Sequence, residues 1–284
     1  MELIAIDLDG TLLNSRHTIS EENIKAIKHA QQQGVEVVVA TGRAEFDVRE
    51  VFAHTGLATW VIGANGATIH RPNGTLFDSV PIKEKDADTI LNWLEQEQFY
   101  YEVFSDSSIL TPHNGRRLLQ IEMDRIKSAN PEADLEELEK ALEKQFSQTG
   151  FYHVDSYKDI TESGSPVYNI LAFSFEQEKL DKGWHTFESN SDLTLVSSAN
   201  HNFEFEHKDA SKGLALQKLA DHLSIPISET AAIGDSPNDL SMLHTAGHSA
   251  AMENAKDVVK EASDFITAHN DTHGVAQAIY HWLK

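Results

Sequence analysis

The chain has 284 residues, 40% hydrophobic and 24% charged, a globular composition that at about 150 residues per domain gives roughly two domains. Lys plus Arg number 23 and Asp plus Glu 45; the formal charge of −22 repels nucleic-acid backbones and anionic membranes on average, yet leaves room for a local positive pocket that takes a small anion. With no cysteine, disulfides, thiolate catalysis and cysteine-held zinc or iron–sulfur centres are excluded.

The opening, Met1-Glu2-Leu3-Ile4-Ala5-Ile6-Asp7, has no basic leader, and no apolar run reaches the length of a membrane span. A cytoplasmic protein with no targeting segment is expected. Leu3 to Leu8 predicts a short strand that stops at Asp9-Gly10-Thr11. Ser20-Glu21-Glu22-Asn23 reads as an N-cap, followed by a helix with Ile24, Ile27 and Ala30 on one side and Gly34 at its end. Val35 to Ala40 is a β-branched run without polar alternation, as in a parallel strand buried on both faces. Thr41-Gly42-Arg43 follows, then a helix over about 44–55, then a third strand, Trp60-Val61-Ile62, closing at Gly63-Ala64-Asn65-Gly66-Ala67. This βαβαβ order predicts an open α/β sheet.

The middle changes character. Lys85 to Gln98 and Pro131 to Gln148 predict long amphipathic helices, the second striped by Leu135, Leu138, Leu142 and Phe146 and opened by the acidic Pro131-Glu132-Ala133-Asp134. Tyr100 to Phe104 and Val167 to Phe175 read as strands. A separate α+β domain, inserted after the third core strand, is expected. The last third returns to alternation: a helix from Ser211-Lys212-Gly213, a strand Thr230 to Ile233 broken by Gly234-Asp235, and further strand–helix pairs to a final helix near Val275 to Leu283. The expected boundaries are 1–82 and 189–284 for the core and 83–188 for the insertion.

Open α/β sheets bind ligands at the carboxyl ends of their strands. At the first such end, continued alternation would point Asp7 and Asp9 the same way, and two carboxylates on one side repel unless a cation or proton intervenes. A solvated turn also accommodates an isolated Asp-x-Asp. Thr41-Gly42-Arg43 offers a hydroxyl and free N–H groups for an anion. Asn65-Gly66 suits either a ligand contact or a tight turn. Gly234-Asp235-Ser236-Pro237-Asn238-Asp239 crowds three polar groups at a strand-to-helix junction, more than one cap requires. Lys212 supplies a compensating charge, although its position alone equally suits a solvent-facing lysine. Hard oxygen donors without thiolates favour Mg²⁺, and the combination points to metal-assisted phosphoryl transfer with a carboxylate nucleophile and a second carboxylate as acid and base.

These motifs, in this order, resemble those of the haloacid dehalogenase superfamily, and within it the Cof-like phosphatases of subfamily IIB, whose large cap is inserted into the core. The resemblance spans essentially the whole chain. It implies an open, Rossmann-like α/β core of parallel strands with an inserted α+β cap that chooses the substrate. It implies Asp7 as nucleophile and Mg²⁺ ligand, Asp9 as general acid and base with its backbone carbonyl on the metal, and Asp235 as the third ligand. Asp239 would steady the metal site from behind. Thr41, the N–H groups of Leu8 and Gly42, and Lys212 would grip the phosphate, and Asn238 would reach the phosphate or the leaving oxygen. Asn65 and Gly66 would lie near the substrate entrance, where Arg43 would assist unless it only forms a structural ion pair. Polar groups of the insertion include His113, Asn114, Arg116, Arg117, Tyr168 and Asn169, and the sequence singles out none of them.

The implied activity is Mg²⁺-dependent hydrolysis of a small phosphomonoester: a sugar, nucleotide, flavin-pathway or pyridoxal phosphate. The partner would be a small phosphorylated metabolite, with no nucleic acid and no membrane, and the protein a monomer or weak homodimer. A phosphomutase or phosphotransferase is the nearest alternative. A non-catalytic sensor of a phospho-metabolite would not need Asp7, Asp9 and Asp235 together.

Overall fold

The structure is a computed structural model and describes residues 1–130, 132, 135–146, 150–197 and 200–284. The chain divides into two compact units, Met1–Val80 with Asp209–Lys284, and Pro81–Lys208. The first unit begins β1 (Leu3–Asp7), α1 (Glu21–Gln32), β2 (Glu36–Ala40), α2 (Glu45–Phe52), β3 (Trp60–Gly63), β4 (Thr68–His70) and β5 (Leu76–Ser79). The second unit contains α3 (Glu84–Gln96), β6 (Tyr100–Phe104), β7 (Ile109–Pro112), α4 (Gly115–Ala129), α5 (Glu136–Gln145), β8 (Phe151–Val154), α6 (Tyr157–Thr161), β9 (Asn169–Phe173), α7 (Gln177–Phe187), β10 (Leu193–Val196) and β11 (Asn202–His207). The chain then returns through α8 (Lys212–Leu223), β12 (Thr230–Gly234), α9 (Leu240–Thr245), β13 (His248–Ala251), α10 (Asp257–Glu261), β14 (Phe265–Ile266) and α11 (Gly274–Trp282).

The first unit is a sheet in the order β14-β13-β12-β1-β2-β3-β4-β5. Six strands are parallel, as their continuously apolar sequences require, and Leu3, Ile4, Ala5 and Ile6 of β1 are wholly buried. Strands β4 and β5 are antiparallel additions at one edge. Helix α1 begins where Ser20 accepts a hydrogen bond from the Asn23 N–H and buries Ala26, Ile27 and Ala30 against the sheet core. Strand β1 pairs Ile6 with Ile233 on one side and Asp7 with Ala40 on the other. Asp7, Thr41 and Asp235 therefore leave the sheet at one end, beside the switch where strand order runs outwards in both directions.

The second unit is a sheet in the order β10-β11-β9-β6-β7-β8, antiparallel apart from the β7–β8 pair. Tyr101, Val103, Ile170, Ala172, Phe203 and Phe205 pack with Ile90, Leu91 and Leu94 of α3 and Leu180 and Phe187 of α7. Each large aliphatic or phenyl side chain among them contributes about 1.5–3 kcal/mol by leaving water. Alternation along β11 turns Phe203 and Phe205 to this core and Glu204 and Glu206 to the opposite face.

Three expectations change. The excursion follows the fifth strand, not the third, because Asn65 (φ 52°) and Gly66 (φ 105°) reverse the chain into the β3–β4 hairpin. The chain rejoins the first unit at Asp209, not at 189, because β10 and β11 pair with β9 in the second sheet. The helix expected from Pro131 to Gln148 spans Glu136–Gln145, and Pro131, Ala133, Asp134 and residues 147–149 lie outside the described residues. No helix among the described residues is long and apolar enough to cross a membrane.

Candidate active site

Strand β1 delivers Asp7 to the C-terminal end of the sheet's central strands, and the chain then coils into one wide turn over residues 8–12, closed by a 2.9 Å bond from the Leu13 N–H to the Leu8 carbonyl. Gly10 carries φ 79° in this turn, and a Cβ there would lie 2.5 Å from Asp235 Oδ2. Glycine is thus required both by the backbone and by the approach of Asp235. The coil begins at Leu8, between the two aspartates, and Asp7 and Asp9 take different partners. Asp7 is 5% exposed, whereas Asp9 turns outward onto Arg43.

Lys212 is the first residue of α8, whose N-cap Ser211 accepts from the Leu214 N–H. Its side chain is wholly buried, which settles the solvent-facing alternative. Nζ donates to Asp7 Oδ1 at 2.7 Å and to Asp239 Oδ1 at 2.6 Å. Gly66 makes this seat possible, because a Cβ on it would come within 2.2 Å of the Ser211 backbone that opens α8. The other oxygen of Asp239 accepts the Asp235 and Ser236 N–H groups at 2.9 and 3.0 Å. Both Asp239 oxygens are therefore engaged in holding the turn and the lysine.

Asp235 receives weaker bonds, from Thr11 Oγ1 at 3.3 Å and Ser236 Oγ at 3.2 Å. Carboxylate oxygens of Asp7, Asp235 and Asp239 lie within 4.8 Å of one another. One ammonium faces three carboxylates, and the excess negative charge appears in the protonation equilibria. Burial, then Asp239 and Asp235, holds the Asp7 carboxyl well above the usual range against the opposing pull of Lys212. Burial and Asp239 push Asp235 up to about 6. Burial works against the Lys212 ammonium, but the charges and hydrogen bonds of Asp239 and Asp7 outweigh it and raise its pKa above the usual lysine value.

One atom lacks its complement. Asp7 Oδ2 is buried and has no hydrogen-bond partner among the described residues. A buried, unmatched carboxylate oxygen beside two further carboxylates fits a hard cation, which would supply the missing charge and coordinate oxygen alone. Asp7 and Asp235 are the members with coordination to spare.

The remaining site residues divide. Thr41 is buried at the end of β2 and its hydroxyl accepts the Arg43 N–H at 3.2 Å. Asn65 accepts from Asn238 Nδ2 at 3.2 Å, and a Cβ on Gly42 would lie 3.1 Å from Asn65 Oδ1, so Gly42, Asn65 and Asn238 form one neighbourhood. Leu8 is buried beside Asp7. Asp9 stands apart from the three-aspartate cluster: Arg43 holds its carboxylate through two 2.7 Å bonds and reaches Asp47 at 3.0 Å. The Arg43 guanidinium is pushed above its usual pKa by the hydrogen bonds and charge of Asp9, which outweigh its own partial burial. The contacts of Thr11 and Ser236 with Asp235 were not visible in the sequence, since two hydroxyls inside tight turns carry no spacing signal.

The model of the haloacid dehalogenase-like hydrolase family matches residues 4–279. The Bacillus subtilis phosphatase YwpJ is 55% identical to this chain over 285 aligned residues, which cover 100% of both proteins. The 5-amino-6-(5-phospho-D-ribitylamino)uracil phosphatase YwtE of the same organism is 40% identical, over 98% of this chain and 97% of its own. A solved haloacid dehalogenase-like hydrolase from B. subtilis superposes with a TM-score of 0.85 at 55% identity, covering 99% of each chain. An insertion-bearing α/β core, a lysine-bridged aspartate cluster at its strand switch and these whole-length matches agree: the chain belongs to the haloacid dehalogenase-like hydrolases.

Proposed function

We propose that this hydrolase removes phosphate from a small phosphomonoester by way of an aspartyl phosphate on Asp7. The observation that carries this reading is the state of Asp7 itself, with one oxygen on Lys212 and the other buried and unmatched at the strand switch. A carboxylate desolvated in this way is a competent nucleophile once a phosphoryl group is brought to it. Mg²⁺, held by Asp7, Asp235 and the Asp9 carbonyl, would neutralise charge on the phosphoryl oxygens.

The chain's own residues supply the rest. Asp7 attacks phosphorus, the ester P–O bond breaks, and Asp9 gives its proton to the departing alkoxide. Asp9, now a carboxylate, takes a proton from water; the hydroxide attacks phosphorus, the bond to Asp7 breaks, and inorganic phosphate leaves with both carboxyl groups restored. To do this Asp9 must exchange its Arg43 partner for the leaving oxygen, and Asp47 stands ready to keep Arg43 in place. Lys212, Thr41 and the Leu8 and Gly42 N–H groups neutralise the equatorial oxygens. Asp239 orients Lys212 and the Asp235 turn, while Asn238, Asn65 and Gly66 border the leaving group.

Leaving-group choice is assigned to the second unit. The substrate named for the relative at 40% identity makes 5-amino-6-(5-phospho-D-ribitylamino)uracil the first compound of a panel that also holds sugar, nucleotide and pyridoxal phosphates. Phosphate release is measured with Mg²⁺ and with EDTA, without an added acceptor. Mg²⁺-dependent release supports hydrolysis; release only when a sugar acceptor is added would convert the reading to phosphoryl transfer.

A further inference from the structure

The turn that carries Asp9 is soft by composition and held from outside. Gly10 gives it a left-handed residue, and a backbone bond from the Leu13 N–H to the Leu8 carbonyl helps to close it. Two asparagines from the far end of the chain grip it. Asn254, in the loop between β13 and α10, donates from Nδ2 to the Gly10 carbonyl at 2.8 Å. Its Oδ1 accepts the Asn270 N–H at 3.0 Å, and Asn270 Nδ2 donates to the Leu13 carbonyl at 2.8 Å. Carbonyls on both sides of the turn's apex are thereby tied to one pair of amides.

The chemistry at 254 is specific. The side chain must donate at one end and accept at the other, which an amide does and a carboxylate or an apolar group does not. None of these contacts reaches Asp7, Lys212, Asp235 or Asp239. They act on the Gly10–Thr11 peptide, one residue beyond Asp9, and so on where the Asp9 backbone lies.

We propose that Asn254, backed by Asn270, is a positioning residue for Asp9: the amide pair fixes the Gly10 and Leu13 carbonyls so that the Asp9 carboxyl meets the leaving oxygen. This rests on the reading of Asp9 as general acid and base given above. Positioning of a proton donor is read by how strongly the rate depends on leaving-group basicity, because a poor leaving group needs the proton and a good one does not.

The test compares phenyl phosphate with p-nitrophenyl phosphate in the full-length protein with Mg²⁺, following the first turnover by rapid mixing. In Asn254→Ala the first-turnover rate is expected to fall about tenfold or more for phenyl phosphate and less than about threefold for p-nitrophenyl phosphate, as for a displaced acid. Asn254→Asp, which keeps the size and loses the donor, is expected to follow it. An equal loss on both esters, or no loss on phenyl phosphate, overturns the proposal. If Asn254→Ala gives no cooperative melting transition, Asn270→Ala, which loosens the same clamp one bond further out, is read by the same ratio. Asp7→Asn separates the two layers: it abolishes both reactions if the aspartyl-phosphate reading holds, and retained turnover in it sinks that reading whatever Asn254 does.

Discussion

Two buried carboxylates, each joined to a lysine, behave oppositely in the two units. In the second, Glu122 is 2% exposed, and its oxygens are fully used: Lys179 Nζ at 2.6 Å on one, Ser174 Oγ at 2.9 Å and the Phe175 N–H at 2.8 Å on the other. In the first, Asp7 has Lys212 on one oxygen and, among the described residues, nothing on the other. Burial and a lysine partner therefore do not distinguish a reactive carboxylate from a structural one. The distinction is completeness: Glu122 is finished by its own chain, and Asp7 is left with capacity that a cation and a phosphoryl group can take up.

That contrast is broken most sharply by removing each lysine. Lys212→Met is expected to lower kcat/KM by about 10²–10³, the range for loss of one preorganised charge in a transition state. It also leaves Asp7, Asp235 and Asp239 without a counter-charge, so Mg²⁺ should raise its Tm more than it raises that of the unaltered protein. Lys179→Met removes a bond from Glu122 and should cost about 3 kcal/mol of stability, as for a broken buried pair, with kcat within about twofold. Equal losses of kcat/KM in the two variants would show that Asp7 is no more reactive than Glu122.

The sequence reveals much of the first region because its signals are ordered along the chain. Each polar group at the site follows an apolar strand or opens a helix, so Asp7, Thr41, Lys212 and Asp235 were all locatable by where hydrophobic runs stop. It does not reveal the partner that Asp9 takes, because alternation needs extended backbone through Leu8, where the coil begins. It leaves Lys212 undecided, since burial depends on glycines 66 and 213 allowing α8 to approach, a tertiary fact. In the second region Phe203-Glu204-Phe205-Glu206 alternates with period 2, but the alternation alone does not show that Glu204 and Glu206 are buried as well. The boundary error at 189–208 has the same root: whether β10 and β11 join one sheet or the other is set by pairing with β9, not by their own residues.

Asn169 gives the second region an intermediate case. Its side chain donates to Glu204 at 2.8 Å and to Glu206 at 3.4 Å, while its Oδ1 is buried with no partner among the described residues. Asn169→Ala removes both donations and should lower unfolding stability by about 1–3 kcal/mol, less than the loss in Lys179→Met, with kcat within about twofold. No loss of stability in denaturant unfolding would show that Asn169, unlike Glu122, does not keep the sheet in order.

The smallest effect is the most direct reading of the charge imbalance at Asp7. Asp235, faced by Asp239, Asp7, Lys212 and the hydroxyls of Thr11 and Ser236, has its pKa raised to about 6 from an ordinary 3.8, and Asp7 is raised as well. A carboxyl whose folded pKa exceeds its unfolded one contributes stability that is present below the unfolded value and lost as pH rises through the folded value. In EDTA, then, this contribution disappears between about pH 4 and pH 7, lowering Tm by about 2–4 °C for each kcal/mol lost. Cation binding favours the ionised carboxylates, so the rise in Tm on adding Mg²⁺ should widen across the same interval. Asp235→Asn removes one of the two titrating groups and should weaken both trends. If the Mg²⁺-dependent rise is instead the same at pH 5 and pH 7, the cation does not bind at this cluster, because any site made of these carboxylates must compete with protons there.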